Sequence, residues 1–187
     1  MKTLIWNGSP RKNGDTMFLL RELIRQLHGD IKIIDTYSCN IRPCIDCRYC
    51  CRQIGCSQKD GMQEIYSYII ECDHVVVASP IYFSELTGPL LSAASRLQMF
   101  YAAQKFLHHN LIAKPKQGAV ILCGGGDGSA QTAEMTAETL LREMGAAPAA
   151  AITSLRTDTL PAKDDAAARE KIRKLAQKWN ESDTPRR

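Results

Sequence analysis

The sequence predicts an α/β fold in which one five-stranded parallel sheet carries helices on both faces, in a single domain over residues 1–187. Three observations predict it. Strand-like apolar runs and helical stripes alternate five times along the chain, the pattern of successive βαβ units. The run Val75-Val76-Val77-Ala78 is apolar at every position, as in a central parallel strand covered on both sides. The first strand ends in a polar loop, Asn7 to Thr16, that opens straight into an amphipathic helix.

The elements follow in order. Lys2 to Trp6 is a short strand, and Met17 to Leu27 places Leu20, Leu23, Ile24 and Leu27 on one helical stripe. Gly29-Asp30 breaks that helix, and Ile31 to Asp35 is a second strand. A cysteine-rich loop, residues 39–60, has little periodicity, after which Met62 to Cys72 recovers a helical stripe. Val75 to Ala78 is the third strand, running into Ser79-Pro80-Ile81-Tyr82-Phe83-Ser84. Gly88-Pro89 starts a helix that continues through Leu97 and Tyr101, with Pro in its first turn. A linker with His108, His109 and Lys114-Pro115 leads to the fourth strand, Ala119 to Cys123, which ends in Gly124-Gly125-Gly126-Asp127-Gly128. Thr132 to Met144 is a helix, Ala147 to Leu155 a fifth strand weakened by Pro148, and Ala162 to Asn180 the closing helix. A polar tail, residues 181–187, is expected to fray.

The loop Asn7 to Thr16 reads as an anion site. A glycine-containing turn into a helix start offers unpaired backbone N–H groups and the positive end of the helix dipole. It is not a Walker loop, because five residues separate Gly8 from Gly14 and Asp15 precedes Thr16. The three-glycine dinucleotide fingerprint is also absent. Hydroxyl and amide side chains with two cations, Arg11 and Lys12, suit one terminal phosphate, as in a mononucleotide such as FMN. The alternative is an ordinary strand-to-helix turn capped by Asp15 or Thr16.

Composition narrows the partners. The net charge of +4 is mild and no basic block is interleaved with aromatics, so nucleic acid is not suggested. The longest apolar runs fall short of a membrane span, and the chain enters its first strand with no signal-peptide h-region, so a cytoplasmic protein is expected. In that setting eight cysteines read as metal-binding, catalytic or buried thiols and not as a disulfide framework.

Three motifs together carry a resemblance: Gly8-Ser9-Pro10-Arg11 with Asn13-Gly14-Asp15-Thr16, the Cys44/Cys47/Cys50/Cys56 loop, and Ser79-Pro80-Ile81-Tyr82-Phe83. They resemble the flavodoxin-like NAD(P)H-dependent FMN reductases, and within them the iron-sulfur flavoprotein branch. The likeness covers residues 1–130; the last strand and helix fit the fold without motifs. It implies a flavodoxin-like three-layer sandwich with strand order 2-1-3-4-5, which sets the loops after strands one, three and four side by side. It further implies that Ser9, Arg11, Asn13, Asp15 and Thr16 surround the FMN phosphate, with Asp15 capping the helix or holding Arg11. Pro80, Ile81, Tyr82 and Phe83 would line the isoalloxazine edge at the rim of the sheet, and the backbone of Gly124, Gly125, Gly126 and Asp127 would approach the flavin.

Cys44, Cys47, Cys50 and Cys56 offer four thiolates on one loop, the number a [4Fe-4S] cluster requires, with the wider last gap of the iron-sulfur flavoproteins. The run departs from the bacterial ferredoxin pattern, which has a shorter last gap and a following Pro. Tetrahedral zinc and an empty or oxidised loop are the alternatives. Cys51 is an extra ligand or a bystander, and Cys72 and Cys123 read as small buried hydrophobes. The four histidines have no ligand spacing. Met99, Phe100, Tyr101 and Phe106 exceed what one helical face buries, which suggests a subunit contact in a homodimer or homotetramer.

The function so implied is an FMN-dependent NAD(P)H oxidoreductase that passes a hydride from nicotinamide to flavin, then on to a quinone, a flavin or an iron-sulfur acceptor. Its partner is a small-molecule acceptor or a redox protein, and no side chain is obliged to act as acid or base. Rival readings are a non-enzymatic FMN or iron-sulfur electron carrier and a thiol-based redox sensor. Arg11 and Lys12 in the phosphate loop, and the lack of an acidic docking surface, favour the reductase.

Overall fold

Successive side chains on a strand point to opposite faces, so a strand apolar at every position must be covered twice. The computed structural model, which describes residues 1–182, follows that rule. Its elements in order are β1 (Lys2–Asn7), α1 (Asp15–Ile24), β2 (Asp30–Asp35), α2 (Met62–Glu71), β3 (His74–Pro80), α3 (Gly88–Ala94), α4 (Gln98–Leu107), β4 (Lys116–Gly124), α5 (Gln131–Glu143), β5 (Ala146–Leu155) and α6 (Ala166–Ser182). The strands pair in parallel in the order β2-β1-β3-β4-β5, the flavodoxin-like order expected.

Two apolar cores result, one on each face. Leu4, Trp6, Val75, Val77, Val120 and Leu122 point to the side covered by α2, α3, α4 and α5. Ile5, Val76, Ala78, Ala119, Ile121 and Cys123 point to the other side, under α1 and α6. Trp179 of α6 is fully buried, stacks on His74 at 4.2 Å between ring centroids, and donates from Nε1 to Gln117 Oε1 at 3.1 Å.

Three local expectations differ from what the chain adopts. The helix expected from Gly88 through Tyr101 is two helices, α3 and α4, joined by a 3-10 turn at Ser95–Leu97, and α4 runs on to Leu107. Strand β5 is not curtailed by Pro148: it lies at the sheet edge, and the ladder passes from Gly118↔Pro148 to Ala119↔Ala150, so a bulge at Ala149 absorbs the proline. Residues 181 and 182 continue α6 instead of fraying, and 183–187 of the expected tail lie outside the described residues. The cysteine-rich segment between β2 and α2 holds one 3-10 turn, Tyr49–Cys51. None of the described helices is long and apolar enough to cross a membrane.

Glycine at position 118 is dictated by packing, since a Cβ there would lie 2.8 Å from Leu141 Cδ1 of the fully buried Leu141. Leu141→Ala is expected to cost about 2–5 kcal/mol of unfolding free energy, and Gly118→Ala about 1–3 kcal/mol. Because the two side chains compete for one space, urea denaturation of the double variant should show a loss smaller than the sum of the two.

Candidate functional site

Polar groups reach the carboxyl edge of the sheet because the strands beneath are buried, and three loops are tied together there. The Gly8 N–H donates to Ala78 O at 2.7 Å, and Thr87 Oγ1 donates to Gly8 O at 2.9 Å. The Thr87 N–H donates to Ser79 Oγ at 3.1 Å, and the Ile81 N–H to Cys123 O at 2.8 Å. Loops after β1, β3 and β4 therefore form one rim. Gly8 has no room for a side chain: a Cβ would come within 2.8 Å of both Leu90 Cδ1 and Thr87 Oγ1.

In the first loop Ser9 and Thr16 are buried while Arg11, Lys12 and Asn13 stand exposed above them. Arg21, in the last turn of α1, reaches back to the loop, donating to Lys12 O at 2.7 Å and to Asn13 Oδ1 at 3.3 Å. Among the described residues, the backbone N–H groups of Arg11, Lys12, Asp15 and Thr16 meet no protein acceptor. Unpaired donors at a helix start, next to two cations, make a cradle of the kind that an anion could occupy. Asp15 departs from expectation. Gly14 occupies the N-cap position, and the Asp15 carboxylate instead accepts the Ala162 N–H at 2.8 Å, fastening the segment before α6. Inside the first turn a carboxylate still complements the helix dipole without facing the cradle.

The second loop turns on Phe83 and Ser84, both left-handed at φ 52 and 64, between reciprocal Tyr82 and Glu85 backbone bonds of 2.9 and 3.0 Å. Non-glycine residues in that region cost about 1–3 kcal/mol each where they are strained. The turn leaves Phe83 fully exposed and Tyr82 half-exposed, with Pro80 and Ile81 partly buried, so the aromatics sit at the rim and not in the core. In the third loop Gly124 is faced by Leu155 and Ile81, and a Cβ on Gly125 would lie 2.7 Å from the Asp158 carboxylate. Those two glycines are accounted for by the protein itself; Gly126 alone of the three faces open space, beside exposed Asp127.

Sequence reasoning missed several participants. Thr87 bonds across two loops but lies far from either in a motif. Tyr37, just beyond β2 and half-exposed, lies near Tyr82 and the Thr87 hydroxyl; burial raises its own hydroxyl pKa. Its position after the strand next to β1 was the available signal. The 156–158 segment lies over the glycine loop through Arg156 N–H to Gly126 O at 3.1 Å and Thr157 N–H to Gly124 O at 2.9 Å.

The cysteine loop forms a second centre beside this rim. Cys44, Cys47, Cys50, Cys51 and Cys56 all line one cavity of about 490 Å³, with Arg96, Tyr101 and Phe106 among its walls. Asp46 and Arg48 take left-handed backbone there and pair with each other at 2.9 Å. Cys47 Sγ and Ser57 Oγ are 3.1 Å apart, and that hydroxyl is the main cause lowering the Cys47 thiol pKa, while burial raises that of Cys50. The donors suit a thiolate-bound metal in kind and number. Among the described residues no three His, Cys, Asp or Glu side chains stand close enough to hold an ion, so ligation would draw the loop together, as is usual where metal binding and local folding are linked. Cys72 and Cys123 are buried, and burial pushes their thiols up to about 11 and about 12, the Thr16 hydroxyl working against the second shift. Both stay protonated at neutral pH and pack as small hydrophobes. Of the expected contact residues on α4, Met99 and Phe100 are core; Tyr101 and Phe106 are half-exposed at the cavity.

The neck of the loop is closed by a buried ion pair. Arg96 donates to Asp60 Oδ2 at 2.7 Å, to Arg42 O at 2.9 Å and to Gln58 O at 3.3 Å, and Asp60 also accepts the N–H groups of Arg42 and Met62. Gln58 reaches across to Pro43 O at 2.9 Å, and the Cys44 N–H donates to Ser95 Oγ at 2.9 Å.

The sheet order and the three-loop rim define a flavodoxin-like α/β protein. The chain belongs to the NADPH-dependent FMN reductase family, whose model matches residues 1–159. An iron-sulfur flavoprotein of Archaeoglobus fulgidus is 31% identical over 139 residues, covering 73% of this chain and 66% of that protein. Iron-sulfur flavoprotein MJ0731 of Methanocaldococcus jannaschii is 30% identical over 106 residues, 54% of this chain and 53% of the relative. The match thus spans slightly under two thirds of the first relative's length and about half of the second's. Among solved structures, an FMN-dependent NADH-azoreductase from Bacillus anthracis in complex with FMN superposes with a TM-score of 0.71 at 15% identity, covering 96% of this chain and all of that one. The apo form of an NADH:FMN oxidoreductase gives a TM-score of 0.61 at 18% identity, covering 95% of this chain and 89% of that one. At those identities the likeness speaks for the fold.

Burial works to raise the Asp60 carboxyl pKa, but the Arg96 guanidinium and the Arg42 and Met62 N–H groups outweigh it and hold the carboxyl below the usual range. A depressed folded-state value gives stability that is complete above the unfolded carboxylate value of about 4 and is lost as pH falls below it. Asp60→Asn should therefore cost about 3–5 kcal/mol at neutral pH, by stranding Arg96, and should flatten the acid limb of the stability profile in urea titrations at stepped pH.

Proposed function

We propose that this protein is an FMN-dependent NAD(P)H oxidoreductase whose acceptor is a quinone, a flavin or an iron-sulfur centre. The observation that carries the reading is the group of unpaired N–H donors at Arg11, Lys12, Asp15 and Thr16, set beside an exposed aromatic rim. Ser9, Arg11, Asn13 and Thr16 would hold the FMN phosphate, with Lys12 and the loop held in place by Arg21. Asp15 serves the cradle indirectly, by anchoring α1 against the segment before α6. Pro80, Ile81, Tyr82 and Phe83 would flank the isoalloxazine, and the backbone of Gly126 and Asp127 would approach it, Gly124 and Gly125 being covered by Leu155 and Asp158. When bound, FMN supplies both hydride acceptance and single-electron exchange, so the protein contributes binding, orientation and electrostatics. The strained turn at Phe83 holds an aromatic ring out over this edge, where it can shield a planar ligand from water.

Cys44, Cys47, Cys50 and Cys56 are the ligands we assign to an iron-sulfur centre, with Cys51 on the same cavity wall. The names of the curated relatives support that assignment. A homodimer or homotetramer is part of the same reading, with Tyr101 and Phe106 as the exposed apolar contacts.

Anaerobically purified protein should bind FMN and oxidise NADH or NADPH when a quinone is supplied; a protein that binds FMN without turning over nicotinamide is the electron carrier instead. Replacing Arg11 and Lys12 together by Gln should weaken FMN about tenfold, roughly 1.4 kcal/mol. Riboflavin, which lacks the phosphate, should bind the variant as it binds the wild type. Equal losses for the two ligands in fluorescence titrations would remove the phosphate assignment.

A further inference from the structure

Arg96 is fully buried, and its three donor contacts leave one of its nitrogens without a partner. The terminal nitrogens serve Asp60, Arg42 O and Gln58 O, whereas Nε is buried with no hydrogen-bond partner among the described residues. A buried donor left unpaired costs about 1–3 kcal/mol and calls for an explanation. Arg96 also forms part of the wall of the cavity that the five loop cysteines line. Cys56 on that wall lies near enough to interact with both the guanidinium and the Tyr66 hydroxyl, and that hydroxyl itself donates to Arg96 O at 2.9 Å.

We propose that Arg96 is the positioning residue of the cysteine cavity: its terminal nitrogens close the neck of the loop, and its Nε–H is the donor held for an anionic sulfur group bound among the thiolates. The proposal rests on the reading of the cysteine loop as an iron-sulfur site. The division of labour suits a guanidinium, whose planar fork grips several acceptors at once and whose charge persists at every accessible pH. The neck contacts flank the ligand run on both sides, at Arg42 before Cys44 and at Gln58 and Asp60 after Cys56, so one side chain sets where the run begins and ends. A fixed positive charge beside a thiolate-bound centre favours its reduced, more negative state. Hydrogen bonds to the sulfurs and nearby charge are among the levers that set such potentials.

The test uses the whole chain as wild type, R96Q and R96K, with two readouts. In reduced, metal-free protein, hydrogen exchange is followed at the Arg42 and Met62 amides, which donate to Asp60, with the Val76 amide of β3 as the control for folding. R96Q should speed exchange at the two neck amides at least tenfold and leave Val76 protected. The proteins are then loaded anaerobically with ferrous iron and sulfide, and the midpoint potential is followed by electron paramagnetic resonance. R96Q should shift the redox equilibrium at least tenfold toward the oxidised state, about 59 mV lower for one electron. R96K, which keeps the charge but lacks both the fork and the Nε–H, should loosen the neck and fall between wild type and R96Q in potential; a potential equal to wild type would assign the shift to charge alone and overturn the Nε–H donor. If wild type takes up no iron and sulfide, the iron-sulfur reading falls and the donor role with it, while the neck role is judged on exchange alone. If wild type loads and R96Q matches it in potential, the donor role is overturned; unchanged neck exchange overturns the neck role. Should R96Q lose Val76 protection as well, R96K decides, since a tight neck in that variant refutes the proposal.

Discussion

A sheet covered on both faces has only its ends to offer to chemistry. From His74 to Ser79 every residue of β3 is buried, and its neighbours β1 and β4 are nearly so. Polar function is therefore confined to the loops at the carboxyl edge, and the order β2-β1-β3-β4-β5 brings the loops after β1, β3 and β4 to one place. The anion cradle, the aromatic turn and the glycine loop are thus consequences of one packing constraint acting on three strands.

That constraint also changes the meaning of the glycines. A glycine-rich loop invites a reading in which the missing side chain makes room for a ligand. Here Gly8 gives way to Leu90 and Thr87, Gly124 to Leu155 and Ile81, and Gly125 to Asp158. The protein fills those spaces itself and so fixes the loop conformations rigidly. Gly126, with open space around it, is where close approach by a ligand remains available. Preorganisation and access are divided among neighbouring residues that look equivalent in sequence.

What was legible in the sequence was what local pattern encodes. The all-apolar run at Val75 to Ala78, the alternation of strands and helices, and the polar turn before α1 pointed to a parallel sheet with a functional rim, while the strand order came from the resemblance to the flavodoxin-like reductases. What was hidden depends on partners distant in sequence. Asp15 reads as a helix cap until Ala162 is found beside it, 147 residues away. Thr87 and Tyr37 belong to the rim only because β1, β2 and β3 are neighbours. Arg96 lies in what reads as continuous helix, and its burial follows from a 3-10 turn at Ser95–Leu97 that no helix-breaking residue announces. Pro148 misled in the opposite direction, because the edge position and a one-residue bulge remove the cost that a central strand would carry.

The two centres are not independent pieces of architecture. Helix α3 begins after Thr87, whose hydroxyl grips the carbonyl of Gly8 in the anion cradle, and ends before Ser95 and Arg96, which hold the cysteine loop through the Cys44 N–H and the Arg42 and Gln58 carbonyls. Seven residues of helix span about 10 Å. Leu90, Ala93 and Ala94 bury its inner side in the core, where close packing leaves little freedom for one end to move without the other. Under the proposed function, a flavin at the rim and a metal-sulfur group in the cavity would both be positioned from this one element. Electron transfer between two centres depends on a constant separation, and a short helix clamped by buried polar contacts at each end supplies a physical means of keeping it.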